Sequence, residues 1–132
     1  MATIYREFIV SASATDVWAA IRDFGAVHTR LAVGFVTSVR LEGDIREVTF
    51  ANGFVVKEQL VASDDGHMRM AYSAVGGRAS HHNASFQVFA DGDRRCRIVW
   101  ITDLLPDEVA APVGAMVDMG VAAMQRTLEG RV

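Results

Sequence analysis

Ile45-Arg46-Glu47-Val48-Thr49-Phe50-Ala51-Asn52-Gly53-Phe54-Val55-Val56-Lys57-Glu58-Gln59-Leu60-Val61-Ala62 is two runs rich in β-branched and aromatic residues, hinged on Asn-Gly. Both hinge residues tolerate positive φ, which makes Asn-Gly a strong signal for a two-residue hairpin turn. The same pattern extends in both directions. Strands are expected at Phe35–Leu41, Ile45–Ala51, Phe54–Ala62, His67–Val75, His82–Ala90 and Arg94–Asp103. Between them lie Glu42-Gly43-Asp44, Asp64-Asp65-Gly66, Gly76-Gly77 and Asp91-Gly92-Asp93, all turn-forming combinations. Connections this short join antiparallel neighbours, so the run reads as a meander.

Upstream, Thr3 to Ala12 has strand composition, with Phe8 and Val10 on one face. Ser13-Ala14-Thr15-Asp16 then has the S-x-x-D form of a capping box. Val17, Trp18, Ile21 and Phe24 follow at helical spacing, which predicts a short helix from about Ala14 to Asp23, stopped near Gly25. Downstream, Val109, Val113, Met116, Gly120, Ala123, Met124 and Leu128 recur every three or four residues. That is one stripe of a long helix, with Pro112 tolerable only in its first turn, so the regular helix is placed from about Ala111. About eighteen residues at 1.5 Å each span roughly 27 Å. The expected class is α+β: a curved seven-stranded antiparallel sheet wrapped around a long C-terminal helix, with one or two short helices after the first strand. One helix does not fill so large a concave face, and an internal cavity is expected between them.

Composition narrows the function classes. The 132 residues make one domain's worth of chain, read as a single ligand-binding domain over residues 1–132. Hydrophobic residues at 51% against 22% charged exclude a disordered chain. A net charge of -3 argues against a nucleic-acid partner, which calls for a basic stripe. With Cys96 alone there is neither a disulfide framework nor a Cys-based zinc site. No apolar run approaches the ~18 residues of a membrane span, and the first residues lack the apolar run of a signal peptide. A cytoplasmic location is the expectation.

Several stretches resemble the START-like, helix-grip superfamily (SRPBCC, with polyketide cyclase/dehydrase-type members). They are Ser11–Phe24 with Val17-Trp18, Asn52-Gly53 through Glu58-Gln59-Leu60, Ser63-Asp64-Asp65, and Ile98-Val99-Trp100. The order of these pieces carries the likeness over nearly the whole chain. Val17-Trp18, Arg22, Phe24, Glu58-Gln59-Leu60, Asp64-Asp65 and Val75-Gly76-Gly77 followed by Asn83 are also similar to the branch that holds plant abscisic acid receptors. Three departures count against a hormone receptor. Leu31 stands where those receptors carry a ligand-anchoring lysine, Ala79-Ser80-His81 where they carry a His-Arg-Leu latch, and Ala84 where a tyrosine lines their cavity. The resemblance implies an internal ligand cavity and no cofactor. It leaves function open, because the superfamily holds both binders and enzymes.

Candidate site residues follow from strand parity. Glu58 shares a face with Val56 and Leu60, so its carboxylate points where apolar groups point. Burial there raises a carboxyl pKa and makes the group a ligand partner or proton acceptor; the alternative is an ion pair with an arginine such as Arg46. The receptor-like branch has a polar cavity residue at the matching position. Glu58→Gln is expected to leave the fold standing while weakening a polar-headed ligand roughly ten- to a hundred-fold. His82 shares parity with Ala84, Phe86 and Val88, which makes it either a polar group of the inward face beside the Gly76-Gly77 turn or a solvated edge histidine. His81 and His82 face opposite ways, so they do not chelate one ion, and no metal site is expected. His28 and His67 read as loop and turn residues. The cavity wall is expected to comprise Phe35, Val56, Glu58, Tyr72, His82, Phe86, Trp100, Met116, Gly120 and Met124, opening near Gly53 and Gly76-Gly77. Met116, Met119 and Met124 read either as a pliant thioether lid or as ordinary core packing. Asp64-Asp65 and Asp91-Gly92-Asp93 read as solvated turns without calcium-loop spacing.

Three functions fit this reading. The first is binding of a small hydrophobic metabolite, lipid or polyketide-like molecule. The second is a cyclase or dehydratase in which Glu58 or His82 moves a proton. The third is a partner-binding adaptor, which requires an exposed apolar patch on the outer sheet face. A homodimer is left open.

Overall fold

The computed structural model describes residues 2–132. The chain runs β1 (Ala2–Val10), α1 (Ala14–Arg22), a π-helical turn (Val27–Leu31), β2 (Val36–Glu42), β3 (Ile45–Phe50), β4 (Val55–Asp64), β5 (Arg69–Val75), β6 (His81–Ala90), β7 (Cys96–Leu105), a 3-10 turn (Asp107–Val109) and α2 (Ala110–Leu128). All seven strands form one antiparallel sheet in the order β1-β7-β6-β5-β4-β3-β2. The meander is closed on one side by β1, which pairs with β7 from Ala2↔Leu104 to Val10↔Cys96.

Strand parity sorts the two faces. Ile98, Trp100, Thr102 and Leu104 of β7, Ala84, Phe86 and Val88 of β6, and Met70 and Tyr72 of β5 are buried on the concave side. A register shift between Leu60 and Ala62 puts a bulge in β4, which bends and twists the strand so that the sheet curls. Most strand ends differ from expectation by one or two residues, and three of them have a clear local reason. β1 stops at Val10 because the next amide, Ser11 N–H, donates to Glu129 at 2.8 Å. β5 starts at Arg69 because Met68 is held at φ 49°, in the left-handed region, within the turn after Asp65. β7 continues to Leu105 because β1 pairs with it as far as Leu104 and β6 as far as Leu105.

Ser13 caps α1, its hydroxyl accepting the Asp16 amide at 3.1 Å. Asp16 in the first turn and Arg22 in the last both complement the helix dipole. Asp65 is more than a solvated turn residue. It accepts the Trp18 indole N–H at 2.9 Å and faces Arg22 at 3.5 Å, which ties α1 to the β4–β5 turn.

The buried stripe of α2 is Gly114, Val117, Gly120, Ala123 and Met124. Pro112 sits in its first turn, where a missing N–H costs nothing. A Cβ on Gly120 would lie 3.1 Å from the Trp100 ring and 3.2 Å from the Phe35 ring. Glycine is therefore what lets the helix press onto the sheet. Met119 is 52% exposed, on the side of α2 away from this stripe, and is no part of a lid. Arg6 of β1 holds Asp118 of α2 at 2.5 Å, pinning the helix to the sheet edge.

Candidate ligand-binding site

A cavity of about 320 Å³ lies between the concave sheet face and the first half of α2. This is within the range of small-molecule sites. Its wall is mostly apolar: Phe35 and Phe50 meet edge-to-face at 5.2 Å, Val56 and Trp100 come from the sheet, and Val113, Met116 and Val117 from α2. The exposed lining residues Phe54, Val55, Gly76, Gly77, Arg78 and Pro112 form the mouth. Gly76 and Gly77 have φ of 78° and 84°, a left-handed pair that turns β5 toward β6 at this rim. Arg78 lies over the Phe54 ring at 5.6 Å.

A polar group interrupts the apolar wall. Glu58 and Arg46 are directly opposite on β4 and β3, and Arg46 Nε donates to Glu58 Oε1 at 2.8 Å. The Arg46 side chain is only 4% exposed and Glu58 12%. The guanidinium also donates to the Phe24 carbonyl at 3.3 Å and stacks 4.0 Å above the Phe24 ring. Both weighed readings of Glu58 are present at once: it pairs with Arg46 and it lines the cavity. Tyr72 projects beside it, receiving the Trp100 indole N–H at 3.1 Å on its phenolic oxygen. Burial, reinforced by the Glu58 carboxylate, pushes the Tyr72 phenol well above its ordinary value of 10, so it is a neutral O–H group.

His82 occupies a break in the β5–β6 ladder. The last paired residues are Tyr72 and Ala84. Beyond them the Ser73 hydroxyl donates to the His82 carbonyl, and the Ala74 amide donates to His82 Nδ1 at 2.9 Å. Nδ1 is thereby an acceptor, which places the ring proton of neutral His82 on Nε2. Burial holds the imidazole below its ordinary value of 6.5 despite the opposing influence of Glu58, so the neutral form is favoured. His81 points to the outer face and bonds Asn83 at 2.8 Å.

Of the expected wall, Phe35, Val56, Glu58, Tyr72, His82, Trp100 and Met116 line the cavity. Phe86, Gly120 and Met124 do not. Phe86 stacks on Trp100 at 4.6 Å and is covered by it. Gly120 is filled by the Trp100 and Phe35 rings, and Met124 is 3% exposed in the packed core one turn further along α2. The cavity thus ends at the Trp100–Gly120 contact, which a reading by parity and periodicity alone cannot see. Phe50, Phe54, Val55, Ala74, Arg78, Ala79, Thr102, Val109, Pro112, Val113 and Val117 were not expected and do line it. Thr102 carries the same parity signal as Trp100, and Val113 and Val117 the same helical stripe as Met116. His28 lies in the π-helical turn away from the cavity, and His67 sits exposed 2.7 Å from Asp64.

The sequence matches the family model described as polyketide cyclase / dehydrase and lipid transport over residues 1–131. The chain belongs to that family. No curated protein matches the sequence of this family member. Among solved structures it is similar to a protein from Thermobifida fusca at 28% identity and TM-score 0.80, covering 99% of this chain and 93% of the other. A START superfamily protein from Mycobacterium smegmatis matches at 12% identity and TM-score 0.75, covering 98% and 96%. A norcoclaurine synthase point mutant from Thalictrum flavum, bound to a transition-state analogue, matches at 24% identity and TM-score 0.73, covering 99% and 96%. The last two likenesses are of fold. The polyketide cyclase/dehydrase-type family member thus has a START-like, helix-grip fold, and none of its described helices is long and apolar enough to cross a membrane.

Proposed function

We propose that this chain binds a small, largely apolar molecule in the cavity between the sheet and α2, acting as a single ligand-binding domain. The observation that carries the reading is an open space of about 320 Å³ with a mostly apolar wall, beside a core whose other inward side chains are buried. Apolar surface supplies the affinity, and Glu58, Tyr72 and His82 supply orientation. Native mass spectrometry of protein purified from its own host tests this. A retained small molecule of a size to fit the cavity is the expected result. Protein that arrives empty and fails to bind any of a set of apolar fluorescent probes would remove the reading.

One observation favours a second reading, a cyclase- or dehydratase-type enzyme: three titratable side chains meet on one apolar wall. The roles expected from sequence become unequal. With Nδ1 occupied by the Ala74 amide, neutral His82 presents an N–H and serves as a donor or acid. The base would be Glu58, whose Oε1 already holds Arg46. The structurally similar norcoclaurine synthase shows that this fold can carry catalysis in another protein. The adaptor reading fares less well. The outer-face apolar residues Ile9 and Phe89 flank Arg97, which covers the Phe89 ring at 4.5 Å and pairs with Glu7 at 3.0 Å, so the patch is broken by charge.

A further inference from the structure

We infer that the cavity selects uncharged oxygenated ligands, with acceptor oxygens of carbonyl type received by the Tyr72 O–H and His82 Nε2–H and a hydroxyl donating to Glu58. This rests on the binding function proposed above and names its ligand class. Tyr72 accepts from Trp100, yet its own proton has no acceptor among the described residues. His82 uses Nδ1 to accept from Ala74, and Nε2 has no partner among them either. Both side chains line the cavity, their rings 5.9 Å apart on adjoining strands. A ligand that covers these two neutral donors with apolar atoms leaves them without an acceptor, a desolvation cost that an oxygen on the ligand removes. Glu58 is the complementary group. Arg46 holds Oε1, whereas Oε2 has no partner among the described residues. The Thr102 hydroxyl, also on the wall and without a partner there, adapts to either role.

Charge sets the rest of the specificity. A carboxylate placed among these groups meets the Glu58 carboxylate, whose compensating cation Arg46 is already committed to Glu58 and the Phe24 carbonyl. A ligand cation gains little from a carboxylate that is already paired. An uncharged hydroxy-ketone on an aromatic body meets neither obstacle, and it suits a wall built from Phe35, Phe50, Tyr72 and Trp100.

Three naphthalene probes of nearly equal size test this by calorimetric titration of the intact chain at neutral pH: 6-acetyl-2-naphthol, 6-ethyl-2-naphthol and 6-hydroxy-2-naphthoate. The acetyl compound is expected to bind about ten-fold more tightly than the ethyl compound, the worth of an added hydrogen bond in a dry site. The naphthoate is expected to bind weakest. The carbonyl stretch of the bound acetyl probe should move to lower frequency than in a hydrocarbon solvent, a readout that needs no mutant. In Tyr72→Phe, and separately in His82→Asn, the acetyl-over-ethyl preference should shrink toward unity while binding of the ethyl compound persists. Equal binding of acetyl and ethyl compounds, with an unshifted carbonyl band, overturns the ligand class and leaves the binding function standing. Tightest binding of the naphthoate, lost in Arg78→Gln, also overturns it and assigns an anion site to the mouth. Failure of all three probes to bind sinks the underlying binding function as well.

Discussion

Glu58 and Arg46 form a buried ion pair whose carboxylate also lines the cavity. Arg46 is nearly fully buried, and its charge is balanced by Glu58 Oε1, the Phe24 carbonyl and the face of the Phe24 ring. Parity and polarity in the sequence point to Glu58, but not to how much Arg46 depends on it. Removing one partner of a buried pair strands the other, so Glu58→Gln is expected to cost stability as well as ligand affinity. Glu58→Gln should lower unfolding stability by about 3 kcal/mol, with the double variant Glu58→Leu/Arg46→Met recovering most of the loss. Urea denaturation of the unaltered protein and the two variants checks this, and an unchanged midpoint in Glu58→Gln would show that the pair holds nothing together. His82 adds a pH signature. Its folded-state pKa lies below its ordinary value of 6.5, so the unfolded chain takes up a proton that the native state refuses. Stability should therefore fall as pH drops from about 6.5 through the lower folded-state pKa. Below both values the loss is complete. In His82→Asn the slope in the window just under pH 6.5 should flatten, as measured by thermal unfolding at closely spaced pH values.

The helix α2 is set by a conflict between its own propensity and the surface it covers. Glycine in mid-helix costs ~1 kcal/mol relative to alanine, so Gly120→Ala considered alone is stabilising. The structure reverses that sign. The added methyl would meet Trp100 and Phe35 at 3.1–3.2 Å, and Trp100 has little room to yield. It is stacked on Phe86 and hydrogen-bonded to Tyr72. Overpacking of this kind costs about 1–3 kcal/mol, so a net loss of about 1 kcal/mol is expected in denaturant unfolding. A stabilised Gly120→Ala would mean that α2 sits further from the sheet. The same contact explains why the cavity is confined to the first half of the helix and why Met124 belongs to the core.

At the scale of the molecule, the cavity is a stability cost retained in the fold. An unfilled apolar space loses the contacts its lining could make. Ala74 lies on its wall between Glu58 on β4 and the His82 ring, so Ala74→Leu should fill part of the space. Each added buried methylene is worth about 0.8 kcal/mol, and a gain of about 1–2 kcal/mol in unfolding stability should accompany loss of binding of apolar probes. Stability gained with probe binding intact would place the occupied volume elsewhere.

The architecture was legible from local pattern because each signal is one the chain cannot avoid displaying. Asn52-Gly53 and the other glycine turns set strand ends, alternation sets faces, and the stripe ending at Met124 and Leu128 sets α2. Parity alone also put Glu58, Tyr72, His82 and Trp100 on one side, where the structure has them. What tertiary packing decided was the boundary between cavity and core. Phe86 and Met124 carry the same periodic signature as Trp100 and Met116, and only the approach of α2 through Gly120 closes space over one pair and leaves it open beside the other. The donor role of His82 was likewise invisible in sequence. It depends on the β5–β6 ladder breaking after Tyr72, where the Ala74 amide reaches His82 across eight residues and fixes which ring nitrogen carries the proton. Periodicity reports the direction of a side chain, whereas a cavity depends on the distances between elements, and those are settled only when the helix meets the sheet.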